Sequence, residues 1–314
     1  MLESLFSLLI FPGFLFLMFA GFLVEFVDRK LYARFQNRQG PPWYQPAADF
    51  IKLSSKEEII PENASPTMFK LMPIVAIAAV VTPFFCIPLH NSTALMSFRG
   101  DLIVIMYLLT IPTVTFFLGG WHSTSLFATI GSVRALTQLF AYEVPLFLAL
   151  LAPAILAKTW SVSEIAQFFN SSPWYFPLFN IGAFMVAIIA IQGKLERVPF
   201  DIPEAETEIV GGAFTEYNGR LLALFRMAID IEFVVVASLL AAIFLPWTPK
   251  NMPFLAFGVY ILKVFAIICV SALIRSVMAR IRIEQMVAIC WKYVAPIALV
   301  QILVNIILSG VALK

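Results

Sequence analysis

Residues 195–220 read LERVPFDIPEAETEIVGGAFTEYNGR. The stretch lies between two apolar runs, 174–191 and 229–247, each long enough to cross a bilayer. Eight of the chain's nineteen acidic residues fall between Glu196 and Glu232. Carboxylates beside hydrocarbon are costly to keep, so a dense cluster there points to function. Close carboxylates cannot all ionise freely, and some must hold their protons. Such a set suits a proton path or a charge-coupled switch.

Working outward, the composition is that of a membrane protein. Of 314 residues, 61% are hydrophobic and 13% charged, about half the charge of a soluble domain. Eight apolar runs read as transmembrane helices: 5–26, 68–89, 102–118, 138–156, 174–191, 229–247, 254–273 and 287–308. The expectation is an all-α polytopic protein, a single integral-membrane domain over residues 1–314, without repeats or linkers. The twenty prolines do not oppose this, because neighbouring helices can satisfy freed backbone groups. The first run lacks a positive n-region and a small-residue cleavage site, so it reads as a retained helix.

Charge sets the expected orientation. Numbering the loops in order, fifteen Lys and Arg lie in loops one, three, five and seven and three in the even loops. The positive-inside rule then puts the odd loops in the cytoplasm and both termini outside. Cys86, Cys269 and Cys290 are far apart and form no CxxC pair, which supports no iron–sulfur or zinc site. No nucleotide-binding glycine pattern and no nucleic-acid-binding basic run is present.

Loop one, residues 28–57, reads DRKLYARFQNRQGPPWYQPAADFIKLSSKE. Its cations Arg29, Lys30, Arg34, Arg38 and Lys52 suit lipid headgroups, and Trp43 and Tyr44 suit the aromatic belt. Gly40-Pro41-Pro42 forces a turn. Residues 47–53, with Asp49, read as an amphipathic helix lying in the interface. In the fourth run, Glu143 stands among apolar residues, where an ionised carboxylate costs about 2.5–3.5 kcal/mol or more. It should be protonated, hydrated or paired, with Arg134 the structural candidate. Pro145 can kink the helix there and free the Ala141 carbonyl.

Loop five divides into parts. Asp201 fits a helix N-cap with Glu204 at the third position. Glu206, Glu208 and Glu216 exceed what a cap needs. In a continuous helix Glu204 and Glu208 share a face, Glu216 lies about two turns along it, and Glu206 points elsewhere. A solvated acidic loop is the plain alternative, opposed by the apolar filling from Ile209 to Phe214. Asp230 and Glu232 open the sixth helix, with Arg226 four residues before Asp230 and placed to pair with it. Lys263, near the middle of the seventh, must pair, titrate or snorkel.

These motifs together resemble the membrane subunit 1 family of respiratory complex I. That family includes the equivalent subunits of group 4 membrane-bound NiFe hydrogenases and their sulfur-reducing relatives. The resemblance rests on Pro199, Phe200, Asp201, Glu204, Glu206, Glu208, Glu216 and Tyr217, on the acidic-Arg-Lys, Gly-Pro and Gln-Pro steps of loop one, and on Arg134 to Glu143. Only Pro42, Trp43 and Tyr44 separate Gly40-Pro41 from Gln45-Pro46. That short form looks like the hydrogenase-type relatives and argues against quinone binding.

The resemblance implies a non-catalytic subunit that holds no redox centre. Iron–sulfur clusters, and in hydrogenases a NiFe centre, would sit in soluble-arm partners that include a hydrogenase-like large subunit. Ferredoxin would be the indirect electron donor, and antiporter-like membrane subunits and lipid the other neighbours. Glu143, Glu204, Glu206, Glu208, Glu216, Asp230 and Lys263 would form a lateral proton path. Arg29, Lys30, Arg34, Arg38, Asp49, Lys52, Arg134, Arg197 and Asp201 would position the loops and meet the arm. The alternatives are a quinone-binding subunit of a complex I-type NADH dehydrogenase, an independent secondary transporter and a passive anchor.

Overall fold

A computed structural model describes residues 2–89, 94–249 and 252–311. Among them helix is the only regular secondary structure, and eight helical segments are long and apolar enough to cross a membrane. They are Phe6–Phe35, Pro66–Phe84, Asp101–His122, Leu126–Ala157, Phe176–Lys194, Gly219–Phe244, Pro253–Val277 and Ile283–Gly310. The expected number of spans therefore holds. Their apolar character runs round most of each helix, as it must where lipid and protein share the surroundings.

In chain order the helices are α1 (Leu2–Leu9), α2 (Phe14–Phe35), α3 (Gln45–Ser54), α4 (Pro66–Phe84), α5 (Asp101–His122), α6 (Leu126–Ala157) and α7 (Val162–Ser171). They continue as α8 (Ile181–Lys194), α9 (Glu206–Ile209), α10 (Gly219–Phe244), α11 (Pro253–Val277), α12 (Ile283–Ile289) and α13 (Ala295–Val311). A π turn over Cys290–Val294 joins the last two. Helix α10 is the axis: every residue from 231 to 241 is buried, and α2, α4 and α11 pack round it. A second group forms where α6 meets α5, α8 and α13. Hydroxyls inside the bundle bond back to their own helix, as Ser238 does to the Val234 carbonyl at 2.6 Å. The short α7 is tethered by buried Asp101, whose carboxylate accepts the Val162 amide at 2.7 Å.

Several boundaries differ from the hydropathy reading. The run 5–26 belongs to a span reaching Phe35, so Asp28, Arg29, Lys30 and Arg34 are helical. The run 138–156 is the second half of α6. Helix α10 begins at Gly219, so Asp230 and Glu232 lie about three turns inside it rather than opening it. Hydropathy stops where charges begin, but Arg, Leu, Ala and Met between 220 and 228 are good helix formers, and the helix runs on through them.

Loop five departs most. The helix expected from an Asp201 cap does not form, because residues 201–205 are non-helical and α9 is one turn long. Val210 has φ +62° and Gly212 φ +55°, and a 3-10 turn at Gly212–Phe214 follows. Gly212 is required there: a Cβ would lie 1.8 Å from the Pro203 carbonyl oxygen. The turn sits in a slot cut by glycines, for a Cβ on Gly131 would meet the Gly212 Cα at 2.5 Å. Backbone strain and close packing, rather than helix continuity, fix the loop. Loop one does contain its expected helix, α3, with Trp43 and Tyr44 exposed beside it.

Candidate functional site

A cavity of about 440 Å³ lies where α2, α3 and α10 meet the start of loop five. Its size is in the range of small-molecule and cofactor sites. The acids on its wall are Glu25, Asp49, Glu196, Asp201, Glu204 and Asp230, and the arginines are Arg29, Arg197, Arg226 and Arg275. Phe22 and Phe50, with ring centroids 5.6 Å apart, supply an apolar side.

The charges beside it are organised round Asp28, which is completely buried. Arg197 Nη1 stands 2.7 Å and Arg275 Nη1 2.8 Å from Asp28 Oδ2. Arg197 also reaches Glu25 at 3.2 Å and lies 4.2 Å above the Phe233 ring. Arg29 bridges Glu25 at 2.5 Å and Asp49 at 3.2 Å, which ties α2 to α3. Gln45 donates to the other Asp49 oxygen at 2.8 Å. The spacing has a simple origin: residues 25, 28 and 29 fall on one helical face. A guanidinium suits such a cluster because its planar fork serves two carboxylates at once.

Glu196 closes the inner side. Its backbone has φ +50°, and its Oε1 is sequestered without a hydrogen-bond partner among the described residues. Burial pushes its carboxyl well above the usual range, and neighbouring Glu204, Glu232 and Asp201 push it the same way.

Deeper in the bundle, Lys194 Nζ stands 2.8 Å from Glu232 Oε1, with the two side chains only 2% and 1% exposed. The ammonium also donates to the Leu109 carbonyl on α5 and lies 5.9 Å from the Tyr142 ring centre. Tyr142 Oη and Thr113 Oγ1 are 3.0 Å apart. Gln138 donates to the Gly193 carbonyl at 2.7 Å, joining α6 to α8. Lys194 thus joins α8 to α10 through Glu232 and to α5 through Leu109, with the Tyr142 ring of α6 beside it.

The expected site residues divide accordingly. Arg29, Asp49, Lys52, Arg197, Asp201, Glu204 and Asp230 all border the cavity. Arg226 pairs with Glu204 at 3.6 Å, so the expected bond from Arg226 to Asp230 is replaced by one across to loop five. Arg134 pairs with Glu208 at 2.6 Å on the surface, not with Glu143, which lies more than two turns along α6. That contact holds the Glu208 carboxyl below the usual carboxylate range. Because the loop is not one helix, Glu204, Glu208 and Glu216 share no face. The Glu206 side chain lies outside the described residues.

The remaining candidates lie away from the cavity. Lys30 Nζ closes the loop-one turn on the Gly40 carbonyl at 3.3 Å, while Arg34 and Arg38 are exposed. Lys263 stands apart in a small pocket with Asn170, Thr248 and Tyr260. Sequence reasoning missed Glu25, used Asp28 only as the acid of the acidic-Arg-Lys step, and places Lys194 in a loop. The available signal was a pair of acids three residues apart at the end of an apolar helix, which is expensive unless matched.

These features define a polytopic membrane protein with buried ion pairs and a charge-lined cavity. A family model described as NADH dehydrogenase matches residues 7–306. The chain is 32% identical over 305 residues to an NADH-quinone oxidoreductase subunit of Syntrophobacter fumaroxidans, covering 92% of this chain and 91% of that one. It is 33% identical to NADH-quinone oxidoreductase subunit 8 of Thermus thermophilus, covering 97% and 86%. Among solved structures, it matches a chain of the membrane-bound sulfane sulfur reductase, an archaeal respiratory membrane complex. The TM-score is 0.88 at 27% identity, over 97% of this chain and 100% of that one. The chain belongs to the NADH dehydrogenase subunit 1 family, whose members are membrane subunits of complex I-like oxidoreductase complexes.

Proposed function

We propose that this chain couples a ferredoxin-linked redox arm to ion translocation, in a complex of the sulfane sulfur reductase or group 4 hydrogenase type. Its whole length would act as one integral-membrane domain, with loops one, three, five and seven in the cytoplasm beneath the arm. Iron–sulfur clusters would belong to soluble partners, and antiporter-like subunits would continue the path through the membrane. What supports the reading is a buried Lys194–Glu232 ion pair in the same bundle as a cavity walled by six acids and four arginines. A passive anchor has no use for such buried charge, which is expensive to keep. In this reading Glu204 and Asp230 receive the charge signal at the cavity, Glu143 passes the proton onward, and Glu206, Glu208, Glu216 and Lys263 flank the route.

A second reading keeps the cavity and changes its occupant. The relatives' printed names speak of quinone, and the Phe22–Phe50 wall opposite a charged lining would suit an aromatic head with polar carbonyls. The three-residue link between Pro41 and Gln45 is what favours the first reading. Purification of the native complex through a tag on this chain separates them. Soluble iron–sulfur partners, antiporter-like subunits and no quinone are expected. Bound quinone with an NADH-oxidising arm would overturn the first reading in favour of the second.

A further inference from the structure

A second cavity, of about 350 Å³, opens where the turn between α11 and α12 meets the first third of α6 and loop five. Arg134, Arg280 and Arg282 line it with Glu208 and Glu284, so its cations outnumber its carboxylates. Arg134 is engaged by Glu208 at 2.6 Å, while Arg280 and Arg282 are exposed. Ile202, Ile281 and Ile283 supply the apolar part of the lining. The two sides are fastened together, since the Ile281 amide donates to the Pro199 carbonyl at 3.1 Å.

Helix length sets the height of this cavity against a bilayer. Helix α11 has 25 residues, roughly 37 Å of rise against a hydrocarbon core of roughly 30 Å. Centred in the bilayer, it reaches roughly 4 Å past each face, into the headgroup layer. It ends at Val277, and Arg280 and Arg282 follow within the next turn of chain. Val277 and Met278 are exposed apolar side chains immediately before them. Apolar surface giving way to arginine over a few residues is the pattern of a lipid boundary. A soluble acidic segment would make no use of that apolar step. Guanidinium forks match phosphate oxygens, and basic pockets between the ends of membrane helices take anionic headgroups.

We propose that this cavity holds the headgroup of an anionic phospholipid, with Arg280 and Arg282 on its phosphate and its acyl chains passing over Met278 and Val277. The bound headgroup would sit beside the Arg134–Glu208 contact that holds loop five. The site does not depend on the coupling reading above.

The test uses the whole complex, stripped of lipid in neutral detergent. Dioleoylphosphatidylglycerol is titrated in, and lipid bound per complex is followed by native mass spectrometry, with dioleoylphosphatidylcholine as the zwitterionic probe. Both arginine side chains are exposed, so Arg280→Gln/Arg282→Gln should assemble. It should weaken the tightest phosphatidylglycerol site about thirty-fold, each surface cation contributing roughly five-fold. Phosphatidylcholine binding should not change, and neither should phosphatidylglycerol binding in Arg99→Gln, which removes an exposed cation from loop two. An unchanged phosphatidylglycerol isotherm in the double variant would overturn the proposal. So would an equal fall for Arg99→Gln, which would make the effect one of total charge. Displacement of the lipid by excess inorganic phosphate would also overturn it, by making this a site for free anions. Loss of soluble subunits from the double variant, with lipid binding intact, would assign the cavity to an acidic segment of a partner instead.

Discussion

Asp28→Asn should loosen the whole subunit, although it changes one atom. Asp28 is fully buried and its Oδ2 faces two guanidinium groups, from Arg197 at 2.7 Å and Arg275 at 2.8 Å. The amide removes the charge while keeping the volume, so no cavity complicates the result. Breaking a buried pair from one side costs about 3–5 kcal/mol. Arg275 is partly exposed, with 28% of its side chain accessible, and Arg197 retains Glu25, so the lower figure applies. About 3 kcal/mol at about 2–4 °C per kcal/mol gives a fall of about 6–12 °C. The readout is the temperature at which half of this subunit is lost from the detergent-solubilised complex. Only differences between variants are compared, because a complex need not unfold in two states. Glu58→Gln is the control: its pair with Arg220 spans 3.4 Å with 62% of the arginine side chain exposed. Such pairs contribute at most about 1 kcal/mol. A fall for Asp28→Asn no larger than for Glu58→Gln would refute the reasoning.

Two further outcomes follow from loop five. Gly131→Ala should unseat the loop, because the new Cβ would meet the Gly212 Cα at 2.5 Å and the Ala213 nitrogen at 2.6 Å. Overpacking of this kind costs about 1–3 kcal/mol. Faster protease cleavage within residues 200–218 should report it, and unchanged cleavage would count against the glycine slot. The Arg134–Glu208 contact depends on pH with a definite sign. Its carboxyl is held below the usual range by Arg134, so the contact is present above the ordinary Glu value of about 4.3 and is lost as pH falls through the depressed one. Spin labels on loop five and α6 should separate under acid or high salt, or at neutral pH in Glu208→Gln. A constant distance would show that the pair does not hold the loop.

The membrane spans were legible because about 20 apolar residues in succession have few other fates. Loop one's turn and interfacial helix were legible from Gly40-Pro41-Pro42 and the pattern after Gln45. The interior of the site was much less so. A cap at Asp201 is a sound local reading, but residues 201–205 stay non-helical and the positive φ angles at Val210 and Gly212 stop a helix from running on. Those angles are set by packing on Gly131, which is about 80 residues away in sequence and invisible to periodicity. A charge count for orientation treats Lys194, Arg197 and Arg275 as surface charge, yet they lie against Glu232, Glu25 and Asp28. Such a count cannot separate a lysine at the membrane surface from one paired in the core. The likeness of motifs identified the family where local physics could not, because it records long-range packing indirectly.

The central claim is that this subunit converts redox events into ion movement through its buried charges, and Glu143→Gln tests it most directly. The complex carrying that change would be reconstituted into vesicles and supplied with reduced ferredoxin, with electron transfer and ion uptake followed together. The account predicts that electron transfer continues while ions moved per electron collapse. An undiminished ratio would contradict it and leave the chain an anchor for its partners.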